Sequence, residues 1–86
     1  MKHSLKGCIA SRRVWLDGKE LTPEKSLKKV NHSPDGFCWG YGGSGPAQLA
    51  AAILLELTGS IDGYQAVKWE VIARLPKSDF EVELEV

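Results

Sequence analysis

Four glycines fall within six positions, Gly40, Gly42, Gly43 and Gly45, and an almost wholly apolar run follows them from Leu49 to Leu57. Backbone without side chains can take a positive φ or approach another group closely. A helix with a very thin polar face belongs at the centre of a core. Residues 36–59 therefore predict a turn that opens a buried helix, with the rest of the chain arranged round it. Pro46 suits the first helical position, where the N–H it lacks would have had no partner, and Ser44 or Gly45 serves as N-cap. With Gly45 as cap, Gln48 stands third and reaches back to the cap N–H. Leu49, Ile53 and Leu57 share one face, while Gln48, Ala52 and Glu56 make a narrow outer stripe. Thr58-Gly59 ends the helix, with Gly59 at the left-handed position beyond it. At about three turns it is far short of the ~20 apolar residues a membrane span needs, and no membrane partner is expected.

The flanking segments read as a small α+β domain. Leu5 to Ala10 is a strand candidate, broken by Ser11-Arg12-Arg13. Val14-Trp15-Leu16 is a second, and Asp17-Gly18, a favoured two-residue hairpin turn, returns it through Lys19-Glu20-Leu21. Thr22 as cap and Pro23 at the first position open one helical turn, with Leu27 and Val30 pinning the segment to the core. Asn31-His32-Ser33-Pro34-Asp35-Gly36 is dense in turn formers and delivers the chain into Phe37-Cys38-Trp39-Gly40-Tyr41. That stretch has strand composition, with its three aromatics on one face. Asp62 caps a second helix, with Gln65 as its reciprocal partner. Tyr64, Val67, Val71, Ile72 and Leu75 fit helical spacing, although Val67, Trp69, Val71, Ala73 and Leu75 also alternate as in a strand; the cap and Pro76 favour helix. Residues 79–86 alternate cleanly, with Phe80, Val82, Leu84 and Val86 on one face and Glu81, Glu83 and Glu85 on the other. Three like charges discourage edge-to-edge pairing. The expectation is one domain over residues 1–86: a small antiparallel sheet of three to five strands on two helices, the first largely buried.

Formal net charge is zero, so no global basic signal points to nucleic acid. The charges are nevertheless divided. Residues 1–30 hold eight Lys/Arg and three acids (+5), and residues 31–86 hold three and eight (−5). Complementary packing of the two halves is the plain explanation; a basic patch in residues 1–30 for a polyanion is the functional one. No secretory signal is visible, so a cytoplasmic location with Cys8 and Cys38 reduced is expected. Both cysteines read as small hydrophobes, and no zinc-type spacing is present.

The segment NHSPDGFCWGYGGSGPAQLAAAIL, followed by YQAVKWEVIARLP, resembles a family of short bacterial and phage proteins known as a domain of unknown function. The resemblance implies the signature NHSPxGFxWGYGGSGPAQLALAIL and then YQxFKWEVIAxLP, over roughly residues 30–76. The chain departs from it at Cys38, where the family often has glutamate, and at Val67, where it often has phenylalanine. The resemblance implies a shared architecture and a phage or mobile-element setting, and it carries no mechanism.

Gly40 to Gly45 satisfies G-x-G-x-x-G between a strand and a helix, and Asp62 lies about 20 residues on. That acid, however, precedes a helix instead of ending a parallel strand, and no second βαβ unit fits. A Walker A loop fails because Pro46-Ala47 stands where Lys-Ser/Thr should. What remains is the helix start as an anion site, through backbone N–H groups, the helix dipole and the Ser44 hydroxyl; against it stands the plainer reading that the glycines only allow close packing. His32 with Ser33 or Ser44 and Asp35 has the residue types of a small hydrolase, yet such types also cluster in turns, bonding to nearby backbone. His32, Asp35 and Cys38 make a weaker metal set. Tyr41, beside the glycines, is the aromatic expected to be exposed. The leading expectation is a non-enzymatic binding module without a cofactor. It recognises a protein partner, as in inhibition of a host system, through His32, Asp35, Tyr41, Gly42, Gly43, Ser44 and Gln48. An anion or nucleotide binder at the helix start, and a hydrolase using His32, are the alternatives.

Overall fold

The computed structural model describes residues 2–33 and 36–85. Pro34, Asp35 and Val86 lie outside the described residues, and with them the Asp35 candidate and the end of the last strand. Four antiparallel strands, β1 (Lys2–Cys8), β2 (Arg13–Leu16), β3 (Lys19–Leu21) and β4 (Phe80–Glu85), form one sheet in the order β3-β2-β1-β4. The first three are the expected meander. Asp17 and Gly18 both take positive φ, 52° and 81°, as a two-residue hairpin turn requires. The Asp17 carboxylate also accepts the Ser4 N–H at 2.9 Å and pairs with His3 Nδ1 at 2.7 Å, tying the turn to β1.

One face of the sheet carries the core. Leu5 stands opposite Leu16 on one side and Val82 on the other, and Val14 opposite Leu21. The helices α1 (Glu24–Leu27), α2 (Ser44–Thr58) and α3 (Tyr64–Glu70) complete the fold, with a 3-10 turn over Ile72–Arg74. The first nine residues of α2 after Ser44 are all buried, so the helix is enclosed on every side until Leu54. This corrects the outer stripe for Gln48 and Ala52, which are buried, while Glu56 is exposed as expected and meets Lys19 and Lys25 at 3.5 and 3.8 Å.

Other local expectations are corrected by longer-range contacts. The α2 cap is Gly43, which puts Ser44 first and Pro46 third. Proline is tolerated there because the early N–H groups of a helix lack intrahelical partners. Gln48 does not reach back to the cap; its amide is used elsewhere. The cap of α3 is Gly63, not Asp62, and that of α1 is Pro23, not Thr22; neither cap makes a side-chain hydrogen bond. The second helix ends at Glu70, since Val71 leaves helical geometry at φ −121°. Phe37–Tyr41 forms no strand. Gly40, at φ 83°, turns the chain after Trp39, and its N–H goes to Ile72 O at 3.0 Å. Phe37 and Trp39 are buried, while Tyr41 is thrown outward. The Trp39 indole donates to Ser78 O at 2.9 Å, and its ring meets Phe80 edge-on at 4.9 Å. Gly59 ends α2 in the left-handed conformation, as expected. Both cysteines are free. Among the described residues, no helix is long and apolar enough to cross a membrane.

Candidate recognition surface

The glycine turn acts as a seat for two aromatic rings. A Cβ on Gly42 would collide with the Trp69 ring and one on Gly43 with the Tyr41 ring. Each ring therefore packs directly against glycine backbone, a contact open only to a residue without a side chain. Gly45 serves a different end: a Cβ there would come within 2.7 Å of Cys38 Cβ, so its bareness lets α2 dock on the incoming segment. Tyr41 and Trp69 are 41% and 56% exposed and are the exposed large hydrophobic residues of the described chain. Lys68 Nζ stands 4.3 Å from the centre of the Trp69 ring and Lys77 Nζ 5.2 Å from that of Tyr41, close enough for cation–π attraction. Partial burial of its hydroxyl end pushes the Tyr41 phenol up; the neighbouring Cys38 thiol adds to this and Arg12 opposes it.

The start of α2 borders these rings. The N–H groups of Gly42, Gly43 and Ser44 have no acceptor among the described residues, and the first turn holds no acid. Three hollows lie away from the turn. One of about 430 Å³ is bounded by Leu21, Lys25 and Glu56, another of about 320 Å³ by Leu54, Val71 and Val82, and a third of about 280 Å³ by Ser4, Trp15 and Glu81.

The remaining expected residues are placed differently. Gln48 is 0% exposed and stands behind the surface. Its Nε2 donates to Ser26 Oγ at 2.7 Å and Val30 O at 3.1 Å; its Oε1 accepts from the His32 and Ser33 N–H groups at 2.9 and 3.2 Å. With both donors and the acceptor engaged, Gln48 positions residues 30–33 and touches nothing outside. His32 is exposed, and its Nε2 hydrogen-bonds the Tyr64 hydroxyl at 2.8 Å. Neither Ser33 nor Ser44 hydrogen-bonds the ring, so the described residues assemble no base–serine pair. No group of three or more His, Cys, Asp or Glu among them is arranged to hold a metal.

Sequence reasoning missed Trp69, Lys68, Lys77 and Tyr64 as surface partners. For Trp69 a signal existed: it lies off the helical face defined by Tyr64, Val67 and Val71. Lys68 is the sequence neighbour of Trp69, whereas Lys77 had no such signal and reaches the Tyr41 ring through the fold.

The profile of a family of unknown function, DUF6166, matches residues 4–85, almost the whole chain. The chain belongs to the DUF6166 family. The match extends the resemblance read from residues 30–76 over the meander and the last strand, so DUF6166 covers both the sheet and the aromatic surface. No curated protein and no solved structure matches the chain.

Proposed function

We propose that this chain is a small non-enzymatic binding module that recognises a protein partner through the connection at 31–33, the glycine turn and the start of α2, with Trp69 as a further anchor. One observation carries the reading: Tyr41 and Trp69, both exposed, rest on adjacent glycines. Rigid aromatics on a fixed backbone are the anchors that dominate protein interfaces. A small ligand would favour an enclosed pocket, and the three hollows lie elsewhere. A phage or mobile-element setting, the one the sequence resemblance implies, suits a chain that acts in the cytoplasm by occupying a host protein.

Immobilised chain offered a cell lysate should retain one protein in stoichiometric amount. The Tyr41→Ala/Trp69→Ala double variant should lose it while keeping its far-UV circular dichroism. Equal retention by parent and variant overturns the reading. The unpartnered amides of Gly42 to Ser44 favour a second reading, an anion or nucleotide bound at the α2 start. Under it, a screen of nucleotides and inorganic anions should raise the melting temperature by mass action.

A further inference from the structure

We infer that the Tyr41–Trp69 face takes an acidic segment of the partner protein, whose carboxylates meet Lys68 and Lys77 while its apolar side chains lie on the two rings; this rests on the binding reading above. Lys68 is the first ground. It is only 9% exposed, yet it meets no carboxylate among the described residues, and its amine comes out over the Trp69 ring. Its stem is enclosed while its amine is not buried, the arrangement by which a lysine covers apolar surface and keeps its charge open to an anion. Lys77, at the other ring, likewise meets none. Four other cations are paired, Lys2 with Glu83, Arg13 with Glu20, and Lys19 and Lys25 with Glu56, whereas Lys6, Arg12, Lys28, Lys29 and Arg74 form no ion pair among the described residues. What sets Lys68 apart from these is its enclosed stem. Residues 31–86 hold three basic and eight acidic residues, and two of those three basic residues stand at this face. The adjoining start of α2 adds its unpartnered amides and the positive end of its dipole.

The occupant is a peptide segment because the cations are few and bracketed by acids. Glu70 follows Trp69, and Asp79 stands two residues after Lys77. A continuous phosphate backbone has to run past those carboxylates, whereas a short acidic peptide sets its charges at two points. A second copy offers the glutamates of β4, but the alternating Phe80 and Leu84 are buried in its own core and leave nothing apolar for the rings.

The test is a titration of the full ¹⁵N-labelled chain, followed by NMR. The probes are a doubly capped hexapeptide of alternating glutamate and leucine, its lysine–leucine counterpart, a thymidine hexanucleotide and sodium phosphate. The acidic peptide alone should shift the amides of residues 42–45 and the Trp69 indole. Its Kd should rise with salt, and by at least about threefold in Lys68→Met and in Lys77→Met, the loss of one partly screened ion pair. Methionine keeps the enclosed stem of Lys68, and the exposed Lys77 serves as the variant that leaves the core untouched. No shifts, shifts elsewhere, unchanged affinity in both variants, or equal binding of the basic peptide overturn the inference. So do tighter binding of the oligonucleotide, the same shifts with phosphate alone, or shifts that track self-association. A lysate partner lost by the Tyr41/Trp69 double variant but kept by both lysine variants overturns the acidic segment and leaves the binding module standing. Absence of any captured partner removes the module itself.

Discussion

Gln48 shows how one side chain can hold a loop to a helix. Its amide joins Ser26 and Val30 to the N–H groups of His32 and Ser33, and Ser26 Oγ in turn donates to Pro23 O at 2.9 Å. Leucine at this position fills similar space but leaves those groups unmet, and buried unmet polar groups are costly. Gln48→Leu should lower unfolding free energy by about 2–4 kcal/mol, read from urea denaturation, and should speed amide exchange at residues 30–33. Unchanged exchange there would show that the clamp is idle. Asp17 offers a second test. Its hydrogen bonds with His3 and the Ser4 N–H hold its carboxyl below the usual carboxylate range. A carboxyl depressed in the folded state stabilises at pH above its unfolded value, near 4, and loses that contribution as pH falls through the folded value. The melting temperature of the parent relative to Asp17→Asn should therefore be higher at pH 6 than at pH 3. A difference independent of pH would mean that the ionised carboxylate adds nothing.

At the scale of elements, the start of α2 depends on close approach more than on capping. Gly45→Ala places a methyl against Cys38 backbone and Cβ, neither of which can swing aside. It should cost about 1–3 kcal/mol, the usual effect of overpacking, measured by chemical denaturation. Stability equal to the parent would mean that α2 can shift along the segment. The β1–β3 meander, the Asp17-Gly18 turn, the glutamate-faced β4 and the enclosed α2 were legible in the sequence, because alternation, turn chemistry and an apolar run are local signals. The caps, the end of α3 and the course of Phe37–Tyr41 were not. Each is decided by a partner distant in sequence: Ile72 O for Gly40, Cys38 for Gly45, Ser26 for Gln48. The candidate surface was half legible. Tyr41 and the glycines could be named from composition, whereas Trp69 and the lysines needed the fold to bring them to the same turn.

For the molecule as a whole, the opposite charges of the two halves meet in part. Lys6 stands across from Glu81, Lys2 reaches Glu83 at 3.9 Å, and Lys19 and Lys25 converge on Glu56. Complementary packing thus engages three of the eight basic residues of 1–30, Arg13 pairs with Glu20 inside the same half, and Lys6, Arg12, Lys28 and Lys29 form no ion pair among the described residues. β4 is an edge of the sheet, and its outward row is Glu81, Glu83 and Glu85. A strand edge bearing like charges resists pairing with its own kind. Replacing all three by threonine should produce species larger than the parent in size-exclusion chromatography with light scattering. An identical elution and mass would show that something other than charge keeps this edge apart.

The three tryptophans occupy three different surroundings: Trp39 sealed and bonded to Ser78, Trp15 half-buried beneath Arg13, and Trp69 open to solvent on bare backbone. The protein thus carries a built-in optical probe at the surface of interest. Long-wavelength emission, selectively quenched by iodide and removed by Trp69→Phe, would report occupancy of that surface without any attached dye.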